Sequence, residues 1–273
     1  MVRLAYLGST LADLVRVWDL ASGAPRGEPL RGHKGWVYSV VLWVWDLASV
    51  ALRGVPLRGY DRWVSSVALG TLDGRPVVVV SGGEDGTVRV WDLASGSPRG
   101  EPLCGHEGVY SVALGTLDGR PVVVSGGEGG IVRVRDLAGG APRGEPLRGH
   151  KGAVHSVALG TLDGGVVVVS GGEDGTVRVW DLAGGAPRGE PLRGHKGAVY
   201  SVALGTLDGR PVVVSGGEDG TVRVWGEGAA VLSVRIGSEV RAVAFAKLGA
   251  VAVAAAQGLL LLRFEPEPIT IEG

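Results

Sequence analysis

The chain holds one cysteine, one methionine and two phenylalanines in 273 residues. A lone Cys104 excludes a disulfide framework and a multi-cysteine zinc site. An excess of one charge is also missing: 27 basic and 28 acidic residues leave a formal net charge of −1. That balance excludes a strongly basic nucleic-acid binder and an acidic disordered tail. Long hydrophobic runs are scarce. Arg3, Asp13, Arg16 and Asp19 interrupt the stretch from Met1 to Leu20, so no signal-peptide core forms there. Leu248 to Leu262 is apolar apart from Gln257, but it falls far short of the ~20 residues a bilayer helix needs. Gln257-Gly258 in its middle is a turn signal, so the stretch reads as two short buried strands.

Glycine is abundant, at 49 residues. Each costs about 1 kcal/mol inside a helix, which argues against a helix bundle and for a buried, turn-rich β fold. Internal repetition then dominates the reading. HKGAVHSVALGTLDGGVVVVSGGEDGTVRVWDLAGGAPRGEPLRG, from His150 to Gly194, is followed from His195 by almost the same text. His106, His150 and His195 are spaced 44 and 45 residues apart, and Trp91, Arg135, Trp180 and Trp225 keep the same step. Within each unit AVYSVAL, PVVVS and TVRVWDL are strand-length apolar runs, and TVRVW alternates as a half-buried strand does. LDG, EDG and AGGAPRG are turn chemistry. GEPLRG, poorer in β-formers, reads as a short outer edge strand. One such sheet cannot bury both its faces; radial stacking of several covers them.

A period of 40–45 residues with Gly-His early and Trp-Asp late is the signature of propeller blades. The residues are Gly32-His33, Gly105-His106, Gly149-His150 and Gly194-His195, with Trp18-Asp19, Trp45-Asp46, Trp91-Asp92 and Trp180-Asp181. The chain resembles the WD-repeat β-propeller family over nearly its whole length, and in particular bacterial members with near-identical repeats. The resemblance implies an all-β propeller, a single domain over 1–273, of about seven four-stranded blades, with six as the alternative. The units run approximately 1–32, 33–59, 60–105, 106–149, 150–194, 195–236 and 237–273. Unit one lacks an inner strand. Unit two is truncated, with His33 only 12 residues before Trp45. Units three to six are complete. Unit seven has lost the motif but keeps the strand pattern.

The resemblance also implies a structural role for the histidines: a hydrogen-bonded chain through His150, Ser170, Asp174 and Trp180, and another through His195, Ser215, Asp219 and Trp225. Two units depart from it. Unit three has Tyr60 in place of His, beside Ser81, Asp85 and Trp91. Unit four keeps His106 and Ser125 but has Gly129 for Asp and Arg135 for Trp, which makes it the loosest expected of the four complete blades. The histidines fall on separate blades, so no metal site follows. A catalytic triad needs one nucleophile on one base, whereas these residues recur as copies. There is no G-x-S-x-G elbow, and SGGEDGT lacks the G-K-[ST] of a phosphate loop. Catalytic residues, metals and cofactors are therefore not expected.

The family's contact positions lie on the rim shared by the loops before the innermost strand and between the second and third strands. They map onto Trp36, Tyr38, Trp63, Ser65, Tyr110, Ala153, His155, Ala198 and Tyr200, and onto Glu84, Glu128, Glu173 and Glu218. Glu239 and Arg241 follow in unit seven. Aromatic anchors among carboxylates suit a basic peptide or loop. The expected function is a cytoplasmic, non-enzymatic scaffold binding a partner protein or peptide on this top face, without nucleic acid or membrane. The alternative is the C-terminal sensor propeller of a larger signalling NTPase or kinase, which a start inside a repeat favours. The cut edges of units one and two are expected to promote self-association.

Overall fold

The computed structural model describes residues 64–263, apart from 83–84, 93–94, 96, 227 and 246–249. It also describes the strands Leu4–Tyr6, Leu14–Trp18 and Pro25–Arg31, which pair antiparallel into one three-stranded sheet. Unit two lies outside the described residues, and so does ITI at 269–271. Blade number and the edges expected to self-associate therefore remain expectations.

From residue 64 onward the repeat folds sheet by sheet. Unit four shows the plan. Val109–Leu117 turns at LDG into Arg120–Gly127, then Ile131–Asp136, then Leu147–Arg148 at the outer edge. Unit five repeats it with Val154–Leu162, Gly165–Gly172 and Thr176–Asp181, and with Ala186–Pro187 and Leu192–Arg193 both against the third strand. Unit six runs Val199–Leu207, Arg210–Gly217, Thr221–Gly226 and a continuous outer strand Ala229–Arg235. Unit three has three strands, Val64–Leu72, Arg75–Gly82 and Val88–Asp92, with bridges to Pro98 and Leu103 marking its outer edge. Unit seven contributes Val240–Phe245, Ala250–Ala255 and Gly258–Arg263. GEPLRG is thus an outer edge segment; in units three to five it is held by a few bonds, because its prolines and glycines weaken a ladder, while in unit one all but its last glycine lies within the strand Pro25–Arg31.

The LDG turns explain the tight first hairpin. Asp73, Asp118, Asp163 and Asp208 all sit at positive φ of 48–51°, each followed by a glycine at positive φ. Two consecutive left-handed residues make the turn that matches strand twist, and Asp-Gly tolerates it best.

The core lies between blades. Val122, Val124, Val132 and Leu147 of unit four pack with Val154, Val168 and Trp180 of unit five. Val167, Val169 and Val177 of unit five pack in turn with Val199, Val213 and Trp225 of unit six. The second strand therefore sends alternate valines to opposite neighbours. TVRVW differs from the expected half-buried pattern: Thr176, Val177, Val179 and Trp180 are all buried, because the adjoining blade covers the second face. Glycine permits the close approach. A Cβ on Gly171 would fall 2.6 Å from Val199 Cγ1, and one on Gly126 2.6 Å from Val154 Cγ1.

Neighbouring innermost strands are also tied by hydrogen bonds. Ser66 Oγ accepts from Val112 N–H at 3.2 Å, Ser111 from Val157 at 3.1 Å, Ser156 from Val202 at 3.0 Å and Ser201 from Val243 at 3.0 Å. In unit seven Ala242 holds the corresponding place and offers no acceptor. These bonds satisfy buried N–H groups that face away from their own sheet.

Candidate functional site

A bulge at the start of each innermost strand builds the rim. In unit six Val199 pairs with Gly217 and Ser201 with Gly216, which leaves Tyr200 as an extra residue. The same shift sets Ser65, Tyr110, His155 and Arg241 outside their ladders. A bulge re-aims one side chain without breaking the strand. Here it collects four of them into a ladder across four blades. Tyr110 stacks on His155 with ring centroids 5.7 Å apart. His155 meets Tyr200 edge-on at 5.5 Å. The Arg241 guanidinium lies 4.9 Å from the Tyr200 ring centre.

Carboxylates flank each rung. Tyr110 donates its hydroxyl to Glu128 at 2.7 Å. Burial first, then Glu128, pushes the Tyr110 phenol up to about 12, so it stays a donor. Glu173 accepts from Ala153 N–H at 3.0 Å, and Glu218 from Ala198 N–H at 3.1 Å. One oxygen of each carboxylate is thereby fixed while the residue stays exposed. Arg241 donates to Glu239. Burial lowers the His155 pKa against the pull of Glu173 and Glu218, which keeps the ring neutral near pH 7. Of the rim residues expected from sequence, Trp36, Tyr38, Trp63 and Glu84 lie outside the described residues. Ser65 sits at the bulge but carries no ring to continue the ladder.

Behind the rim the recurring polar side chains meet inside each blade. Trp180 Nε1–H donates to Ser170 Oγ at 2.8 Å, Ser170 reaches His150 Nε2 at 2.8 Å, and His150 Nδ1 donates to Asp174 Oδ1 at 3.0 Å. Asp174 also accepts from Thr176 Oγ1 at 2.7 Å, Thr176 N–H at 3.1 Å and Lys151 N–H at 2.9 Å. Burial alone would raise the Asp174 pKa. The Lys151 N–H, the Thr176 hydroxyl and His150 together overcome it and hold the carboxyl at about 2. Burial lowers the His150 pKa, with Asp174 opposing and Arg178 adding to it. The pair is therefore a neutral imidazole donating to a carboxylate. Trp225, Ser215, His195 and Asp219 meet in the same way, at 2.8, 2.7 and 3.0 Å. Thr176 and Thr221, which the sequence reading had not singled out, complete both sets. Their recurrence two residues after the Asp was the available signal.

The two divergent units differ here. Trp91 Nε1 of unit three is buried with no acceptor. In unit four His106 Nε2 reaches Ser125 at 2.9 Å, but Nδ1 is buried without a partner because Gly129 has no side chain. Burial, with Arg133 and Arg135 beside it, lowers the His106 pKa to about 4.

The described residues contain no group of three or more His, Cys, Asp or Glu placed to hold a metal ion, and no helix long and apolar enough to cross a membrane.

Comparison with known proteins places this geometry. The WD40 family, described as WD domain, G-beta repeat, matches residues 53–92, 142–181 and 187–226. These segments end on Trp91-Asp92, Trp180-Asp181 and Trp225-Gly226. No curated protein sequence matches the chain. Among solved structures 1236 chains match, so the fold is widespread and does not by itself select a partner. One of them, the WD40 β-propeller domain of Doa1, superposes with a TM-score of 0.62 at 22% identity, covering 76% of this chain and 67% of that one. A likeness at that identity carries the fold alone. Propellers of this kind generally serve as protein-interaction scaffolds and are typically non-catalytic. Repeats, blade topology and superposition agree: the chain is an all-β WD40 β-propeller built of antiparallel sheets.

Proposed function

We propose that this propeller is a non-enzymatic scaffold that docks a basic peptide or loop of a partner protein across the rim of Tyr110, His155 and Tyr200. The observation that carries the reading is the continuous ladder these rings form, with a carboxylate at each step. Rings held by bulged strands lose little entropy when a partner docks, so their buried area converts well into affinity. Exposed Glu128, Glu173 and Glu218 favour cationic side chains and speed their approach. Arg241 on Tyr200 shows how an arginine seats on this surface. Trp36, Tyr38, Trp63 and Glu84 extend the same proposal around the rim.

The test starts with a partner captured by the intact chain and mapped to a short segment. Tyr200→Ala should then weaken binding by about 2 kcal/mol or more, as a hot spot does. Glu128→Gln, Glu173→Gln and Glu218→Gln together should mainly slow association and flatten its salt dependence. A partner whose binding ignores both sets docks elsewhere, and the reading fails.

A further inference from the structure

Unit four carries a local charge reversal that its sister blades lack. Asp174 and Trp180 of unit five, and Asp219 and Trp225 of unit six, are replaced by Gly129 and Arg135. One carboxylate is gone and one guanidinium has been added inside the blade; Ile131 also replaces the Thr176 and Thr221 of the sister blades, and in the adjoining loops Glu107 stands for Lys151 and Lys196, and Cys104 for Arg148 and Arg193. In unit five the Arg178 guanidinium lies 6.0 Å from the Trp180 ring centre, a cation over an aromatic face. In unit four the corresponding Arg133 has the second cation, Arg135, as its neighbour. After burial, Arg135 and Arg148 are what lower the Arg133 pKa.

No described carboxylate pairs with this cluster of Arg133, Arg135 and Arg148, and Arg133 Nε is buried without an acceptor. Arg135 donates only to the neutral carbonyls of Gly140 and Cys104. His106, whose Nδ1 lost its carboxylate, stands beside both guanidiniums. A depression of about 180 Å³ opens at this point, lined by Arg133, Arg135, Pro142, Glu145 and Pro146 among others. Glu145 also lines it but makes no ion pair with either arginine, so both guanidiniums keep donors free for a ligand. Guanidiniums present forked donors that match carboxylate and phosphate oxygens.

We propose that blade four holds an oxyanion site, in which Arg133 and Arg135 receive a carboxylate or phosphate group carried on a partner's peptide chain. A peptide suits the place because the depression lies open along the outer edge of the blade, between the third strand Ile131–Asp136 and the segment 142–146. The site is separate from the rim and would give the scaffold a second contact of opposite sign.

The intact chain is titrated with a capped phosphoserine peptide, the same peptide with aspartate, and inorganic phosphate, while the His106 ring resonances are followed. A bound oxyanion adds a negative charge beside His106, so its titration midpoint should rise from about 4 by roughly one unit or more. Response to both peptides assigns the shared oxyanion, and response to the phosphoserine peptide alone narrows it to phosphate. Arg135→Gln should weaken the response about tenfold or more. The double variant Gly129→Asp with Arg135→Trp, which puts the sister-blade residues at both positions and whose fold is checked by its denaturation midpoint, should abolish it. Silence of His106 toward both peptides, or an Arg135→Gln protein that binds as the parent does, overturns the proposal. A response to inorganic phosphate but to neither peptide overturns it as well.

Discussion

Removing the Asp174 carboxylate tests whether the blade network stabilises the fold. Asp174→Ala deletes four hydrogen bonds, to His150, to the Thr176 hydroxyl and N–H, and to Lys151 N–H. They are not equal. The carboxylate is 11% exposed, so water can reach the Lys151 side, but the His150 side chain is 0% exposed. Its Nδ1–H would be left buried and unpaired, at a cost of about 1–3 kcal/mol. Adding the loss of charge-assisted bonds to Thr176 brings the expected destabilisation to about 2–4 kcal/mol. Unit four displays the same state natively, with His106 Nδ1 unpartnered above Gly129. In a repeat array the loss falls on one blade and its two interfaces. The assay is therefore urea denaturation together with amide exchange along Thr176–Asp181, with Glu107→Ala as a control for an exposed charge. An Asp174→Ala protein with an unchanged midpoint and unchanged exchange in that strand refutes a stabilising role for the network.

Three further outcomes follow from the same geometry. Burial lowers the pKa values of His106, His150, His155 and His195, so the unfolded chain binds more protons than the fold once pH drops below about 6.5. Stability should fall steadily from pH 7 toward 4, by up to about 1.4 kcal/mol per pH unit per histidine, and Asp174 and Asp219, both at about 2, extend the loss below pH 4; a flat profile of denaturation midpoints contradicts this. Ser156→Ala should cost about 1–3 kcal/mol by stranding the buried Val202 N–H, whereas Ala242→Ser in unit seven should leave the midpoint within about 0.5 kcal/mol; equal midpoints for Ser156→Ala and the parent count against the tie between blades. Gly171→Ala should destabilise by about 1–3 kcal/mol, because its Cβ would press on Val199 and Val202 of the next blade; calorimetry that finds it neutral would mean the blades can separate freely at that point.

The all-β propeller was legible in the chain because its signals are local and repeated. The 45-residue step, the Asp-Gly turns and the Gly-His and Trp-Asp pairs specify strands and hairpins whatever surrounds them. The poverty of GEPLRG in β-formers likewise pointed to a short outer edge strand. The loss of Asp and Trp from unit four could be read by comparing copies, since each repeat is a control for the next.

Other features needed the assembled sheets. Whether TVRVW is covered on one face or two depends on the neighbouring blade, which no strand pattern encodes. Ser111 and Ser156 look like ordinary strand residues, and their bonds to Val157 and Val202 cross between sheets. The rim could be named from the resemblance, but the bulge that turns Tyr110, His155, Tyr200 and Arg241 into one ladder is a register shift, set when two strands pair. The bare charge at Arg133 and Arg135 also emerges only in three dimensions. The sequence contains almost equal acids and bases, and only packing decides which cations are left without a partner.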